Sequence, residues 1–489
     1  MTHQRFARTM ATAGLVVAAQ YIPLAPLYAS EDIRDKIDEI VQAEASFDIF
    51  SGTVVVARNG ETVYAEGVGD ANKEYAIPNT LKTRFNISSV QKPFIATVIL
   101  QLVQSGEVEL TDPLSKYFPD CPYATADRIQ VQHLLNHSSG LGRYRDDPEY
   151  KMRSEELRTI DDVLPLLYRI EPELEPGEEM RYSNAGYLYL KAIIERVTGM
   201  SLRENLTERI FRPLRMDDTV LFVGGQLLDN RATGHERTED GEGWVRVTGE
   251  PSAYAGGGIY TTGRDLLLFD QAFYGLDLLD AKHKEIMFTP VGPQSDVAFG
   301  WFVVPWGGIK VVMHSGGSGG FSTEFRRYPE KGYTIVVNSN YGGGAGFEMT
   351  NAIEALLLGM PYEVATEITL WYRKAMALQQ AEDYEQALVL FEECIKGPHP
   401  HMPALYQAAR TRILGEFEQG RAIELLDRYI DLADTDAEPS VAAAWWRKGV
   451  AYEQMGDTHN AIMNYRKSLE LDPEFAYARE ALERLEGRQ

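Results

Sequence analysis

Apolar and polar residues follow two different patterns along the chain. Before Pro361, short apolar runs bounded by glycine or polar turn residues predict strands: a pair within 53–68, and single strands at 301–306, 309–313, 323–328 and 333–339. Apolar residues recur at helical spacing across 89–103 and again across 350–358, where they predict a closing helix. Beyond Pro361 the strand-like runs stop, and alanine and aromatic residues recur at helical spacing. The pattern therefore predicts a mixed strand-and-helix unit followed by an all-helical unit.

The all-helical unit contains an internal repeat. Ala387, Ala422 and Ala461 stand 35 and 39 residues apart, close to the ~34-residue period of tetratricopeptide repeats. The last unit fits that repeat best, with its characteristic positions occupied by Trp445, Gly449, Tyr452, Gly456, Ala461, Tyr465 and Pro473. Residues 363–489 thus resemble an array of three tetratricopeptide (TPR) repeats. Such an array either offers a concave groove to a peptide or protein partner, or only packs against the preceding unit and stabilises it.

The N-terminal segment, residues 1–29, has the three parts of a signal peptide. Arg5 and Arg8 give a positively charged start, residues 11–19 are apolar, and Ala29 ends the segment with a small residue. The apolar run is too short for a permanent membrane span, although an uncleaved anchor stays an alternative. Removal of 1–29 predicts a periplasmic or secreted bacterial protein, with 30–362 as its mixed unit.

Charge and residue types narrow the classes of partner. The formal net charge is −24, which argues against nucleic acid or an anionic membrane surface. The two cysteines, Cys121 and Cys394, fall in different units, so a disulfide scaffold is not expected. His133 and His137 have the i, i+4 spacing of a helical zinc motif, but Leu134 stands where that motif has its glutamate. We therefore expect neither a metal nor another cofactor.

Ser89-Val90-Gln91-Lys92 is the strongest candidate for chemistry. Ser89 is the only serine with a lysine three residues later, and the pair opens the helix predicted over 89–103. Residues i and i+3 share a helix face, so the Lys92 amine would lie against the Ser89 hydroxyl and could activate it as a nucleophile. The partial positive charge of the helix N-terminus would favour an oxyanion there. The alternative is an ordinary serine cap followed by a solvated lysine.

Two further segments follow in chain order. Tyr182-Ser183-Asn184 precedes an apolar helical run, and His314-Ser315-Gly316-Gly317 follows an apolar strand-like run. Penicillin-recognising serine enzymes carry Ser-x-x-Lys, Ser-Asp-Asn and Lys-Thr-Gly in this order. Tyr-x-Asn is the second motif of class C β-lactamases, and His-x-Gly replaces Lys-Thr-Gly in related esterases and peptidases. The chain therefore resembles the class C β-lactamase-related, penicillin-binding-protein-like serine hydrolases.

This resemblance extends across most of 30–362. Residues 50–60 resemble the opening hairpin of the family, with Asn59-Gly60 at its turn. Residues 134–141, Leu-Leu-Asn-His-Ser-Ser-Gly-Leu, and residues 256–266 resemble two further segments of the family. The resemblance implies an α/β (α+β) β-lactamase-like fold, in which helices flank a central antiparallel sheet and a helical lobe is inserted. It places the active site between the sheet and that lobe.

The resemblance also implies roles for individual residues. Ser89 would attack an acyl carbon, and Lys92 and Tyr182 would complete the catalytic group. Tyr182 would act as general base, with its phenolate favoured by a Lys92 cation. Asn184 would orient Lys92 or hold a substrate amide. The backbone N–H groups of Ser89 and Gly317 would form an oxyanion hole.

His314 is where the chain departs from the β-lactamases, which have a lysine there for the substrate carboxylate. A histidine is mostly neutral at pH 7, while Gly316 and Gly317 leave room for a substrate along the strand. This favours a small ester or amide, as in an esterase or a D-amino-acid peptidase or amidase. Two alternatives stay open: a true β-lactamase or D-Ala-D-Ala carboxypeptidase, and a weak or inactive platform that mainly binds partners through the TPR repeats.

Overall fold

The computed structural model describes residues 30–486, apart from 154–155, 158, 224–226, 239–242, 248–256, 276, 293–295, 307, 398–399 and 435–436. The expected signal peptide, 1–29, and the first residue of the 256–266 segment lie outside the described residues. Within the described ranges, no helix is both long and apolar enough to cross a membrane.

The described strands, in chain order, are β1 (Gly52–Arg58), β2 (Glu61–Val68), β3 (Asp70–Asn72), β4 (Ile77–Pro78), β5 (Phe85–Asn86), β6 (Val220–Phe222), β7 (His235–Arg237), β8 (Trp244–Arg246), β9 (Gly258–Thr261), β10 (Phe302–Trp306), β11 (Ile309–Ser318), β12 (Phe321–Tyr328) and β13 (Tyr333–Ser339). Six of them form the central sheet in the order β10–β11–β12–β13–β1–β2. All neighbours in this sheet are antiparallel, as expected from the sequence.

The described helices are α1 (Ser30–Ser46), α2 (Gln91–Gln104), α3 (Leu114–Tyr117), α4 (Val131–Leu135), α5 (Pro148–Arg153), α6 (Ile160–Leu167), α7 (Asn184–Thr198), α8 (Leu202–Leu206), α9 (Gly263–Gln271), α10 (Ala281–Phe288), α11 (Phe347–Leu358), α12 (Glu367–Gln380), α13 (Tyr384–Cys394), α14 (Met402–Leu414), α15 (Gln419–Leu432), α16 (Val441–Gln454), α17 (Thr458–Leu471) and α18 (Ala476–Glu486). Short turns of 3-10 and π helix supplement them at Ser88–Val90, Tyr144–Asp146 and Thr207–Phe211.

The central sheet is buried on both faces because alternate strand residues point to opposite sides. In β1, Val54 and Val56 belong to one core with α1 and α11. Val55 and Ala57 belong to the other core, where Phe94 of α2 is packed. Helices α3 to α8 follow α2 in the chain and contribute to this second core. They form the helical lobe that the sequence predicts.

The strands of the central sheet lie within about two residues of their predicted bounds, with β11 as the exception. The Asn59-Gly60 turn between β1 and β2 has positive φ angles of 51° and 80°, as that sequence predicts. Strand β11 is longer than the predicted 309–313, since it continues to Ser318 in register with β12. Pairing across the sheet thus overrides the weak strand preference of its glycines.

A small three-stranded sheet, β5–β9–β6, supports the chain just before α2. The N–H of Ile87 donates to the carbonyl of Ile259 at 3.1 Å, so the segment that enters α2 is fixed to β9. Strands of two to four residues carry too little periodicity to be read from sequence, and this sheet was not predicted.

The C-terminal helices α12 to α18 pack against their neighbours in chain order around two apolar clusters, one formed mainly by α12 to α16 and the other by α17 and α18. Alanines at the helix crossings are fully buried, including Ala387, Ala422 and Ala461. A β-carbon at Gly449 would collide with the Tyr465 ring, which explains the glycine at this repeat position. The middle pair, α14 and α15, is formed as clearly as the others, although the last unit fits the repeat pattern best.

An ion pair between described residues joins the repeats to the mixed unit. Arg373 of α12 donates to Glu44 of α1 at 2.8 Å. Glu44 is buried, and burial raises the pKa of its carboxyl, while the hydrogen bond from Arg373 opposes the rise. The repeats therefore contact the mixed unit through a buried carboxylate.

Candidate active site

Ser89 lies in the turn Ser88–Val90, which leads directly into α2. The turn is held from both sides. The side-chain carbonyl of Asn86 accepts the Ser88 N–H at 2.8 Å, and Ser88 Oγ lies 2.6 Å from Ser318 Oγ of β11. Ser88 has a φ of +48°, a left-handed conformation that costs a residue other than glycine about 1–3 kcal/mol. The two tethers hold this strained turn and thereby fix Ser89 between α2 and β11.

The Lys92 amine lies against Ser89, as the i, i+3 spacing predicts. Its Nζ is 3.1 Å from Ser89 Oγ and donates to Asn184 Oδ1 at 3.0 Å. Of the two roles expected of Asn184, this contact matches the orientation of Lys92. Burial, reinforced by the positive charges of Arg145 and Lys191, holds the pKa of Lys92 well below its usual range. Burial therefore shifts Lys92 toward its neutral amine, the form that can accept the Ser89 proton.

Tyr182 contacts the same pair of side chains. It is hydrogen-bonded to Ser89, and the Lys92 Nζ lies 4.8 Å from the centre of its ring. Burial raises the pKa of Tyr182 to about 12, against the Ser89 hydrogen bond and the Arg145 charge. Tyr182 is 37% exposed, so solvent moderates the rise. Burial thus disfavours both the Lys92 cation and the Tyr182 phenolate, the two charged forms that the expected mechanism uses.

Two imidazoles flank the Tyr182 ring. The His137 ring stacks on it with a centroid distance of 4.3 Å and an interplanar angle of 28°. The His314 ring lies 6.4 Å away on a tilt of 58°. Burial lowers the pKa of both histidines, that of His314 to about 3, and the nearby Lys92 adds to the effect. Both imidazoles are therefore neutral at pH 7.

His314 presents a hydrogen-bond acceptor rather than a cation. Its Nδ1 lies 2.8 Å from the Ser315 carbonyl oxygen, which can only accept, so Nδ1 carries the ring proton. Nε2 is then an unprotonated acceptor, and it is buried with no hydrogen-bond partner among the described residues. A substrate carboxylate placed here would meet a lone pair instead of a positive charge.

The end of β11 runs beside the nucleophile and requires glycine at one position. A β-carbon at Gly316 would collide with the Ile87 carbonyl oxygen and would lie 3.2 Å from Ser89 N. A β-carbon at Gly317 would meet only the Phe321 carbonyl oxygen, at 4.0 Å. Gly316 therefore permits the close approach of the strand, whereas Gly317 borders open space.

Strand β11 also has an uncovered edge at this point. Strand β10 pairs with residues 309–313 and no further, while β12 pairs with β11 as far as Ser318. Residues 314–318 consequently have no partner from β10 on one side. This edge lies next to Ser89 and can receive an extended substrate.

Two cations near the site were missed from the sequence, Lys191 and Arg145. Lys191 is 3% exposed and donates to Gln91 Oε1 at 3.2 Å. Burial lowers the pKa of Lys191 to about 8; Glu195 opposes the fall and Arg145 adds to it. The spacing of seven residues from Asn184 places Lys191 on the same face of α7, a signal that was available in the sequence. Arg145, on a turn after α4, gave no such signal.

His133 and His137 do not come together on one helix face. His133 Nδ1 accepts the backbone N–H of Gln130 at 3.2 Å at the start of α4, whereas His137 lies beyond α4 and stacks on Tyr182. Across the described ranges, no three His, Cys, Asp or Glu side chains form a group that could hold a metal ion. Cys121 and Cys394 are both free thiols.

Comparison with known families agrees with this architecture. The Beta-lactamase family matches residues 34–359, well over half of the chain, and the tetratricopeptide repeat matches 368–396 and 442–475. The chain therefore belongs to the Beta-lactamase family. It is a serine hydrolase with a β-lactamase-like fold and C-terminal TPR repeats.

Individual relatives support the same class. Penicillin-binding protein 4* of Bacillus subtilis is 31% identical over 337 residues, which cover 64% of this chain and 74% of the relative. Teichoic acid D-alanine hydrolase of Staphylococcus aureus is 26% identical over 324 residues, which cover 65% of this chain and 77% of the relative. The structure of the D-amino acid amidase of Ochrobactrum anthropi SV3, solved with L-phenylalanine amide, superimposes on this chain with a TM-score of 0.58 at 28% sequence identity. The superposition covers 67% of this chain and 98% of the amidase.

Proposed function

We propose that Ser89 attacks the carbonyl of an ester or amide and forms an acyl-enzyme that water then hydrolyses. The neutral Lys92 amine takes the Ser89 proton as the Oγ–carbon bond forms. Tyr182 gives its hydroxyl proton to the leaving group as the old bond breaks, and it recovers a proton from Lys92. In the second half of the reaction, water attacks the acyl carbon and gives a proton to Lys92. Tyr182 then protonates Ser89 Oγ as its bond to the acyl group breaks, and the acid product leaves. The observation that carries this proposal is the 3.1 Å contact between the buried Lys92 amine and Ser89 Oγ.

The oxyanion of each tetrahedral intermediate would be bound by the backbone N–H groups of Ser89 and Gly317. The close approach that Gly316 allows brings the β11 backbone alongside Ser89. The positive end of α2 lies at the same point and favours the negative charge. The chemistry needs no metal or other cofactor.

The substrate would be a small ester or amide, of the esterase or D-amino-acid peptidase and amidase type. His314 supports this choice, because a buried neutral imidazole cannot hold a carboxylate as a lysine does. Two relatives act on D-amino-acid derivatives according to their names, a teichoic acid D-alanine hydrolase and a D-amino acid amidase. A D-aminoacyl group is therefore the first acyl group to test.

We further propose that residues 1–29 direct the chain to the periplasm or the medium. Residues 30–362 would then act as the hydrolase domain, and 363–489 as the TPR domain that binds a peptide or protein partner. The acidic character of the chain favours a neutral or basic partner. A competing function, that of a β-lactamase or D-Ala-D-Ala carboxypeptidase, is favoured by the resemblance to a penicillin-binding protein and disfavoured by His314.

A panel of substrates tests the proposal. The purified protein and Ser89→Ala are assayed on p-nitrophenyl acetate, D-phenylalanine amide, L-phenylalanine amide and nitrocefin. We expect Ser89-dependent turnover of the ester or the D-amide, with kcat/KM for nitrocefin lower by about tenfold or more. Nitrocefin turnover equal to that of the best ester would favour the β-lactamase alternative. Absence of turnover on every substrate would favour an inactive platform.

A further inference from the structure

His137 holds Tyr182 through more than ring stacking. Its carbonyl accepts the N–H of Arg181 at 2.8 Å, and its Nδ1 accepts the N–H of Ser183 at 3.1 Å. These two N–H groups stand immediately before and after Tyr182 in the chain. The backbone on both sides of Tyr182 is therefore bound to one residue, whose ring also lies 4.3 Å from the Tyr182 ring.

This arrangement fixes the chemical state of His137. Because Nδ1 accepts an N–H, it cannot carry a proton itself, so His137 is in the neutral form with its proton on Nε2. The ring is 3% exposed, and burial holds its pKa well below the usual range. A protonated ring would lose the bond to Ser183, and its charge would be placed near Lys92.

The backbone of His137 is also unusual. Its φ is +62°, in the left-handed region, which is uncommon for residues other than glycine and in which asparagine, aspartate and histidine are enriched. Such a conformation persists only where the surroundings impose it, and it is concentrated at functional sites. Here it lets the carbonyl and the side chain of one residue face the same short segment. The left-handed backbone accompanies the double contact that His137 makes through its carbonyl and its Nδ1.

We propose that His137 is a positioning residue that aims the Tyr182 hydroxyl at Ser89. The proposal rests on the function proposed above, because it assigns His137 no contact with the substrate. Its ring sets the plane of the Tyr182 ring, and its two acceptors set the backbone from which that ring projects. A displacement on the order of 1 Å in a catalytic group can lower a rate about 100-fold, so the loss of this clamp should be seen in kcat.

Two substitutions separate the parts of the clamp. His137→Asn keeps an acceptor, because its Oδ1 can occupy the place of Nδ1, and asparagine tolerates the left-handed backbone. His137→Gly accepts the same backbone but lacks both the acceptor and the ring. We expect kcat on p-nitrophenyl acetate to fall about 100-fold in His137→Gly and about tenfold in His137→Asn, with KM changed less than about threefold.

Two measurements distinguish positioning from a general structural role. In a Tyr182→Phe background there is no hydroxyl to aim, so His137→Asn should lower kcat by less than about threefold further. His133→Asn is the matched control, since His133 also accepts a backbone N–H but contributes nothing to the site. It should keep kcat within about twofold of the wild type, as expected for a side chain outside the catalytic group.

The possible results are distinct. The positioning role would be overturned if His137→Asn lowered kcat by the same factor in the Tyr182→Phe background as in the wild type. It would also be overturned if both His137 variants had wild-type kcat. If His137→Gly fails to fold, His137→Asn alone decides between these results. A fully active Tyr182→Phe enzyme would overturn the proposed proton path, and the role of His137 with it. An impaired Tyr182→Phe enzyme beside unimpaired His137 variants would overturn only the positioning role.

Discussion

Replacing Lys191 by methionine should make the hydrolase more stable and less active at neutral pH. Lys191 is 3% exposed on α7, and methionine has a similar length and fills a buried site well. The pKa of Lys191 falls from its ordinary 10.5 to about 8, chiefly because burial penalises the charge. At 1.36 kcal/mol per pH unit, this fall corresponds to about 3 kcal/mol of destabilisation at pH 7.

Lys191→Met also removes a hydrogen bond, which offsets part of the stability gained by removing the buried charge. Lys191 donates to Gln91 Oε1 at 3.2 Å, and a lost hydrogen bond of this kind costs about 1 kcal/mol. The free energy of unfolding of Lys191→Met should therefore exceed that of the wild type by about 2 kcal/mol at pH 7. Lys151, exposed on α5, supplies the control, because Lys151→Met should change stability by less than about 0.5 kcal/mol.

The sign of the pH dependence follows from the same shift. Native Lys191 releases its proton near pH 8, whereas the unfolded chain keeps it until about pH 10.5. Between these values the unfolded state binds more protons, so the wild type gains stability as pH rises. The stability of Lys191→Met does not rise in this way. The excess of its free energy of unfolding over that of the wild type should therefore be largest below pH 8 and should shrink as the pH rises toward 10.5.

Pulse proteolysis of the full-length chain in urea measures the effect without isolating a domain. The urea midpoint of the hydrolase band is compared between wild type and Lys191→Met at pH 7, 8.5 and 9.5. In parallel, the acid limb of the kcat/KM profile should move to higher pH, because the Lys191 charge helps to keep the pKa of Lys92 low. A difference in midpoint that does not vary with pH, or a variant less stable at pH 7, would refute the reasoning.

Three further predictions concern the site and its support. Lys92→Ala and Tyr182→Phe should each lower kcat by about 100-fold or more, and the double variant should lose little beyond the worse single one; fully additive losses would show separate proton paths. Gly316→Ala should destabilise the enzyme and abolish ester hydrolysis, because its β-carbon has no room, whereas Gly317→Ala should fold with an unchanged melting temperature; equal melting temperatures for both would contradict this. A chain ending at residue 362 should keep ester hydrolysis but melt at a lower temperature, because buried Glu44 loses its arginine partner; Glu44→Gln should recover part of that loss, and a folded but inactive truncation would place a repeat residue in the active site.

Local patterns predicted the framework of this site well. The spacing of Ser89 and Lys92 requires only that a helix form there, and the 3.1 Å contact followed from that geometry. The Asn59-Gly60 turn and the strands around it were equally local, since turn chemistry and alternation act over a few residues. The TPR helices were readable for the same reason, because small residues recur where helices cross.

Burial and long-range contact could not be read in the same way. The sequence allowed either a Lys92 amine that activates Ser89 or a Lys92 cation beside Tyr182, whereas burial, which no local pattern shows, favours the neutral amine. The clamp on Tyr182 depends on the hydrogen bond between His137 Nδ1 and the Ser183 N–H and on the positive φ angle of His137, neither of which a sequence pattern indicates. The ion pair between Arg373 and Glu44 joins positions more than three hundred residues apart, so no periodicity in the sequence could indicate it.

The central claim is that Ser89 becomes acylated, and intact-mass spectrometry tests it most directly. The full-length protein is incubated with a fluorophosphonate or a reactive ester, and the adduct is mapped by peptide sequencing. The account predicts a single adduct on Ser89, none on Ser89→Ala, and an undiminished adduct on Ser105→Ala, an exposed serine just past α2. An adduct that persists on Ser89→Ala, or that maps to another residue in the wild type, would contradict it.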